Sequence, residues 1–252
     1  MGQIDLDVAD HVATITLNNP AKRNAVDAPM RAGLIAAYAR VKEDDSIRVA
    51  VIRGAGDQAF SSGGYIDGYQ EANAFGPGGA GPAPIPRPWP IWKPFIAAIT
   101  GYAVGGGFAL ALACDLRVAG RGSLMGPSGL RRGVVQGAQQ SQRLTRLIGA
   151  SKALELLLLS RYVSGEEAAA MGLAQAVTDD DQVMATAMDW AQTIAGYSPW
   201  AVARTKQLVY EGQHLPLAEA FAWEEDVTAE GYRRDDALEG FTAFSEGRTA
   251  RY

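Results

Sequence analysis

Three consecutive glycines, Gly105-Gly106-Gly107, stand between an apolar β-like run and the apolar helix-like run FALALAC. Glycine loses more backbone freedom on folding than any other residue, so a row of three before a helix has a purpose. A helix start offers N–H groups without intrahelical acceptors and a partial positive charge. Without a Cβ in the way, a carbonyl oxygen can approach that backbone closely. Two N–H groups aimed at a developing oxyanion contribute about 3 kcal/mol each. An oxyanion hole needs a second donor, and a second glycine cluster, in AFSSGGYIDGY at 59–69, is a candidate for it. It too follows a β-like run and precedes a helical start.

Other chemistries fail on spelling. A phosphate-binding P-loop needs Lys and Ser/Thr where Gly107 and Phe108 stand. A dinucleotide fingerprint from Gly105 and Gly107 needs glycine or alanine at Leu110. GPSGL lacks the closing glycine of a nucleophile elbow, having Leu130 instead. His11 and His214 have no Cys or His at metal-ligand spacing, so no metal site is expected. Cys114 is the only cysteine, which excludes an internal disulfide, and its apolar setting reads as burial.

The elements that must position the glycines read as an α/β core. HVATITLN alternates, with Ala13, Ile15 and Leu17 on one face: a half-buried strand. Met30, Leu34, Tyr38 and Val41 recur at helical spacing behind Asp27, a candidate cap. RVAVIRGAG, FIAAITGYAV and CDLRVAG read as further strands. From about residue 138 the pattern turns helical. Ser164 and Glu167 form a capping box, and helices over 182–195, 200–211 and 217–230 are separated by Pro199 and Pro216. Residues 76–94 hold seven of the chain's twelve prolines, a density that no helix or ladder survives. This segment reads as a surface loop or lid, with partner docking as the other option.

The 252 residues suit one large domain with an appended helical piece. A net charge of −5 argues against a general nucleic-acid or anionic-membrane surface. The N-terminus has no signal-peptide pattern and no apolar run is long enough to span a membrane, so a cytoplasmic location is expected.

At the glycine clusters the chain resembles the crotonase family, the enoyl-CoA hydratase/isomerase superfamily. NNPAKRNAVDAPM, GAGDQAFSSGGYID and ITGYAVGGGFALALACDLRVA carry the resemblance, followed by RLTRLIGASKALELLLLSRYVSGEEAAAMGLAQAV and the ending EGFTAFSEGRTARY. It implies a crotonase-like spiral of ββα units with a helical C-terminal oligomerisation region, divided as a core at 1–195 and helices at 196–252. It implies an acyl-CoA thioester as ligand, coenzyme A entering with the substrate and no separate cofactor, and a homotrimer or dimer of trimers. By position, the oxyanion donors are the N–H groups of Gly64 and Gly106. Lys22, Arg23 and Ala25, with Ser62, Gly64 and Ile66, would hold the CoA nucleotide and pantetheine. Lys22 and Arg23 suit phosphates by charge alone, and two loop cations are more often simply solvated. A late family lysine is replaced by Gly247, with Arg248 beside it.

The departures lie where a hydratase keeps its carboxylates. Proton shuttling and water activation need two positioned acids. One family position is Ala109; the other, after Pro127, reads Ser128 or Gly129; a deeper alternative reads Gln136 and Gly137. Three readings follow. Asp67, Tyr65 or a C-terminal acid such as Glu224 takes over; or the oxyanion hole and the substrate supply most of the catalysis; or the chain is a non-catalytic acyl-CoA carrier or regulator. Capping or surface roles compete for Asp67 and Tyr65. Ser128 and Gln136 are candidate substrate contacts. Gln136, Gln139 and Gln140 suit a polar acyl group, against a reading as surface-helix glutamines, and Arg131-Arg132 suit a carboxylated one, against a solvated turn. Trp89, Trp92 and Phe95 suggest a reshaped acyl pocket for a bulky or aromatic group.

Overall fold

The computed structural model describes residues 1–64 and 91–252. The described elements in chain order are β1 Gln3–Ala9, β2 Val12–Asn18, α1 Ala28–Glu43, β3 Val49–Gly54, β4 Ala59–Ser61, β5 Phe95–Ile99, β6 Tyr102–Val104 and α2 Gly106–Ala113. There follow β7 Leu116–Gly120, β8 Leu124–Gly126, α3 Gln140–Leu158, β9 Val163–Ser164, α4 Gly165–Ala170 and β10 Ala176–Thr178. The chain ends with α5 Val183–Ala195, α6 Pro199–Gly212, α7 Leu217–Tyr232 and α8 Asp235–Glu246.

The strands form two sheets, ordered β1-β2-β3-β5-β7-β10 and β4-β6-β8-β9. β1 is antiparallel to β2, while β2, β3, β5, β7 and β10 run parallel. Successive repeats alternate between the sheets. β3 is followed by β4, β5 by β6 and α2, and β7 by β8 and α3. Each repeat lays one strand on the large sheet and the next on the small one. This is the expected spiral of ββα units in an α/β fold.

Local sequence explains the entry helix. The Asp27 side chain accepts the Met30 N–H at 3.0 Å, Pro29 occupies the first turn, and Met30, Leu34, Tyr38 and Val41 are buried. The Ser164–Glu167 capping box forms in both directions. The large sheet is apolar on both faces. One face joins Ile15, Leu17, Ile52 and Phe95 to the core around α1 and α2; the other packs Val49, Val51, Ile96 and Val118 against α5.

One expected strand is two. FIAAITGYAV divides at Thr100-Gly101 into β5 of the large sheet and β6 of the small one. Gly101 has φ +61°, and a Cβ there would overlap the Gln58 carbonyl. The chain turns from one sheet to the other at the residue that alone fits both constraints.

α6, α7 and α8 bury little of themselves. α6 has no fully buried residue, α7 buries Val227 and α8 buries Ala243. Asp115 anchors α6 through Lys206 Nζ at 2.7 Å and the Tyr210 hydroxyl at 2.8 Å. Arg48 holds the last residue by donating to the Tyr252 carbonyl at 2.6 Å. No described helix is long and apolar enough to cross a membrane.

Candidate active site

β4, β6 and β8 lie side by side and run parallel, so their carboxyl ends open at one edge of the small sheet. Three segments emerge there: Ser62–Gly64, Gly105–Gly107 and Pro127–Ser128. Ligands of parallel sheets characteristically bind beyond the carboxyl ends of strands.

The segments touch. Gly63 has φ +96°, and a Cβ on it would come within 2.7 Å of the Gly106 nitrogen. A Cβ on Gly107 would overlap the Ser61 carbonyl oxygen. On the other side, a Cβ on Gly105 would stand 2.7 Å from Ser128 Oγ. The glycines therefore let three strand ends close on one another.

Hydrogen bonds decide which donors remain. The Gly63 N–H donates to Ser61 Oγ at 3.1 Å, and Ser61 Oγ donates to the Asn24 carbonyl at 2.8 Å. The Gly105 N–H donates to the Gly126 carbonyl at 3.0 Å. Gly106 opens α2, where no intrahelical acceptor exists for its N–H. Gly64 bridges Val26 through the Val26 N–H and Gly63 carbonyl, at 2.7 Å. Among the described residues, no acceptor is found for the N–H of Gly64 or Gly106.

The loop at 19–26 is tied to the same edge. The Ser62 N–H donates to the Arg23 carbonyl at 2.9 Å, and Ser62 Oγ to the Lys22 carbonyl at 3.3 Å. Lys22 and Arg23 are exposed, Ala25 is buried, and the Arg23 guanidinium lies over the Tyr102 ring at 5.5 Å. Asn24 organises this loop, a role the sequence reading did not assign. It is fully buried with φ +53°, and its Nδ2 donates to the carbonyls of Ala55 at 2.9 Å and Ala59 at 2.7 Å. Asn is one of the few residues other than glycine that adopts the left-handed region readily, which suits it to this turn.

Arg117 is a second unassigned support. It is 2 % exposed and donates to the carbonyls of Leu173, Ala111 and Cys114, the latter two at the C-terminal end of α2. Burial pulls its pKa down, while the surrounding carbonyls satisfy the guanidinium.

Of the residues named from the sequence, Lys22, Arg23, Ala25, Ser62, Gly64, Gly106 and Ser128 come together. Gln136 joins them by accepting the Gly129 N–H at 2.9 Å. It is not a surface-helix residue: it precedes α3 and is 8 % exposed, as is Ser128. Ala109 is buried within α2. Arg132 donates to the Ser128 carbonyl at 3.2 Å; Arg131 donates to the Ser160 carbonyl and stacks over Tyr162. Glu224 lines a separate surface cleft with Phe221 and Tyr232. Tyr65, Ile66, Asp67 and Trp89 lie outside the described residues. Trp92 lines a cleft of about 450 Å³ with Lys42, Arg48 and Tyr197. Among the described residues, no cluster of three or more His, Cys, Asp or Glu could hold a metal. Cys114 is buried at the end of α2, and burial pushes its thiol up to about 12.

Residues 7–252 match the family model described as enoyl-CoA hydratase/isomerase. The chain is 35% identical to (E)-benzylidenesuccinyl-CoA hydratase from Thauera aromatica, over 99% of this chain and 98% of that one. It is 32% identical to carnitinyl-CoA dehydratase from Salmonella typhi, over 94% and 93% of the two chains. The crystal structure of enoyl-CoA hydratase from Mycobacterium tuberculosis H37Rv superimposes with a TM-score of 0.91 at 32% identity, covering 99% of this chain and 98% of that one.

Proposed function

The chain belongs to the enoyl-CoA hydratase/isomerase family, and we propose that it binds an acyl-CoA thioester and polarises the thioester carbonyl between the N–H groups of Gly64 and Gly106. The observation that carries this reading is the approach of Gly63 to the Gly106 nitrogen at the shared edge of β4 and β6. It brings two N–H groups without described acceptors to neighbouring strand ends. The α2 dipole adds positive potential at Gly106, and removing one such donor from an oxyanion hole costs about 10²–10³ in rate.

The reaction is a CoA-thioester lyase or isomerase reaction other than hydration by a carboxylate pair. Ala109 can neither accept nor give a proton. Ser128 Oγ has no described basic partner to activate it. Asp67 and Tyr65 follow the Gly64 donor in sequence and are the nearest groups along the chain that could move a proton. The substrate brings coenzyme A, and no further cofactor is invoked. Lys22 and Arg23, exposed on the loop held by Ser62, suit the CoA phosphates by charge. A related hydratase is named for benzylidenesuccinyl-CoA, whose acyl group is aromatic and larger than a simple chain. This supports a bulky acyl group here as well.

The second reading, a non-catalytic acyl-CoA carrier or regulator, draws on the same Ala109 and Ser128. Incubation with enoyl-, dienoyl- and β-ketoacyl-CoAs separates the two. Turnover that Gly106→Pro abolishes and Asp67→Ala reduces supports the enzyme; tight binding without turnover of any thioester supports the carrier.

Residues 1–195 form the acyl-CoA core in this account and 196–252 pack on neighbouring copies, as a homotrimer or dimer of trimers. Exposed apolar residues on the terminal helices support that assembly, among them Phe221 at 57%, Phe241 at 61% and Phe244 at 85% exposure.

A further inference from the structure

From the end of β8 to the first residue of α3, three polar side chains are buried: Ser128, Gln136 and Gln140. Residues 130–135 and 137–139 are exposed, whereas Gln136 and Gln140 are 8% and 4% exposed. Ala138 and Gln139 take positive φ, +53° and +65°, a conformation unfavourable for residues with a Cβ. This reversal separates the two inward-facing glutamines.

Gln136 is held in one orientation. Its Oε1 accepts the Gly129 N–H at 2.9 Å, which assigns the oxygen and leaves Nε2 as the other end of the amide. That Nε2 is buried and has no hydrogen-bond partner. A buried donor without an acceptor costs about 1–3 kcal/mol, so the arrangement persists where something else satisfies it. The amide sits one residue from Ser128, whose Oγ lies against Gly105 at the start of α2. Arg132, donating to the Ser128 carbonyl, adds positive charge on the same side. Gln140 Oε1, four residues on, is also buried without a partner, but Gln140 Nε2 already donates to the Gly137 carbonyl on the far side of the left-handed pair; no carboxylate is among these groups.

We propose that Gln136 Nε2 is a specificity-determining donor to an oxygen of the acyl group itself, beyond the thioester carbonyl. The favoured substrates are then acyl-CoAs carrying a second acceptor oxygen, a ketone or a carboxylate. This rests on the acyl-CoA reading of the site. A plain hydrocarbon acyl chain would leave the amide unpaired, and sites built to hydrogen-bond a substrate reject analogues that lack the partner.

The test is calorimetric titration of the intact protein with butyryl-CoA, acetoacetyl-CoA and succinyl-CoA. The last two carry a neutral and an anionic acceptor respectively. We expect the wild type to bind at least one of them about tenfold or more tighter than butyryl-CoA, the worth of one well-placed hydrogen bond. Gln136→Glu keeps an oxygen for the Gly129 N–H and removes the amide donor. It should erase the preference, so that the ratio of acetoacetyl-CoA or succinyl-CoA affinity to butyryl-CoA affinity falls about tenfold or more from its wild-type value. Gln136→Met provides a second, uncharged variant. Equal wild-type affinity for all three thioesters overturns the proposal without reference to any variant. So does an equal loss of all three in a folded variant, which would assign Nε2 to packing or a buried water. Failure of all three to bind the wild type would overturn the acyl-CoA reading itself.

Discussion

Gly107 packs directly on Ser61: a methyl group on Gly107 would overlap the Ser61 carbonyl oxygen. The contact fixes the start of α2 against the end of β4, and with it the spacing of the two glycine clusters. Gly107→Ala forces these strand ends apart. We expect a loss of about 1–3 kcal/mol in urea unfolding, the usual cost of overpacking. Thioester turnover should fall more steeply than stability does, because the donors lose their common target. Unchanged turnover in a folded variant would show that their spacing is unimportant.

Asn24 holds the partner side of the edge through the Ala55 and Ala59 carbonyls. Asn24→Ala removes these two bonds and a third, from the Asn19 N–H to Asn24 Oδ1, and leaves two carbonyls and one N–H without their partner. The expected destabilisation is about 2–4 kcal/mol, read from the shift of the denaturation midpoint at constant m-value. A shift within about 0.5 kcal/mol, as for ordinary surface substitutions, would contradict the role given to this residue.

Cys114 gives a pH signature. Burial raises its pKa from 9.0 to about 12. A raised thiol pKa means that the folded state retains the proton where the unfolded state has lost it. The stabilisation is complete below pH 9 and is lost as pH rises from there through about 12. Native protein at pH 8 should resist alkylation by iodoacetamide, and urea should expose the thiol. Fast labelling of the folded chain would contradict its placement behind α2.

Much of this was legible in the residues. α1, its Asp27 cap and the Ser164–Glu167 box follow from short-range spacing and side-chain chemistry. The two glycine clusters pointed to one site because each followed a strand. The division of FIAAITGYAV was hidden, since both halves are apolar and only the contact of Gly101 with Gln58 reveals the turn between sheets. β1 and α8 were not assigned as elements: β1 pairs its full length with β2, and α8 exposes Phe241 and Phe244, so neither has a clean one-sided burial pattern. Asn24 acts on the carbonyls of Ala55 and Ala59, and Arg117 ties Leu173 to the end of α2, links between segments far apart in sequence that no local spacing reports. Gln136 read either as a substrate contact or as a surface-helix glutamine; its burial ahead of α3 removes the second reading, and the left-handed pair at 138 and 139 accompanies its inward turn.

The central claim is the polarisation of a thioester carbonyl by Gly64 and Gly106. Infrared difference spectroscopy of a bound acyl-CoA labelled with ¹³C at the thioester carbonyl tests it directly. The account predicts a carbonyl stretch moved to lower frequency on binding, and loss of that shift in Gly106→Pro, which lacks the N–H while a proline remains compatible with the first position of a helix. A tightly bound thioester whose stretch stays at its solution frequency would contradict it.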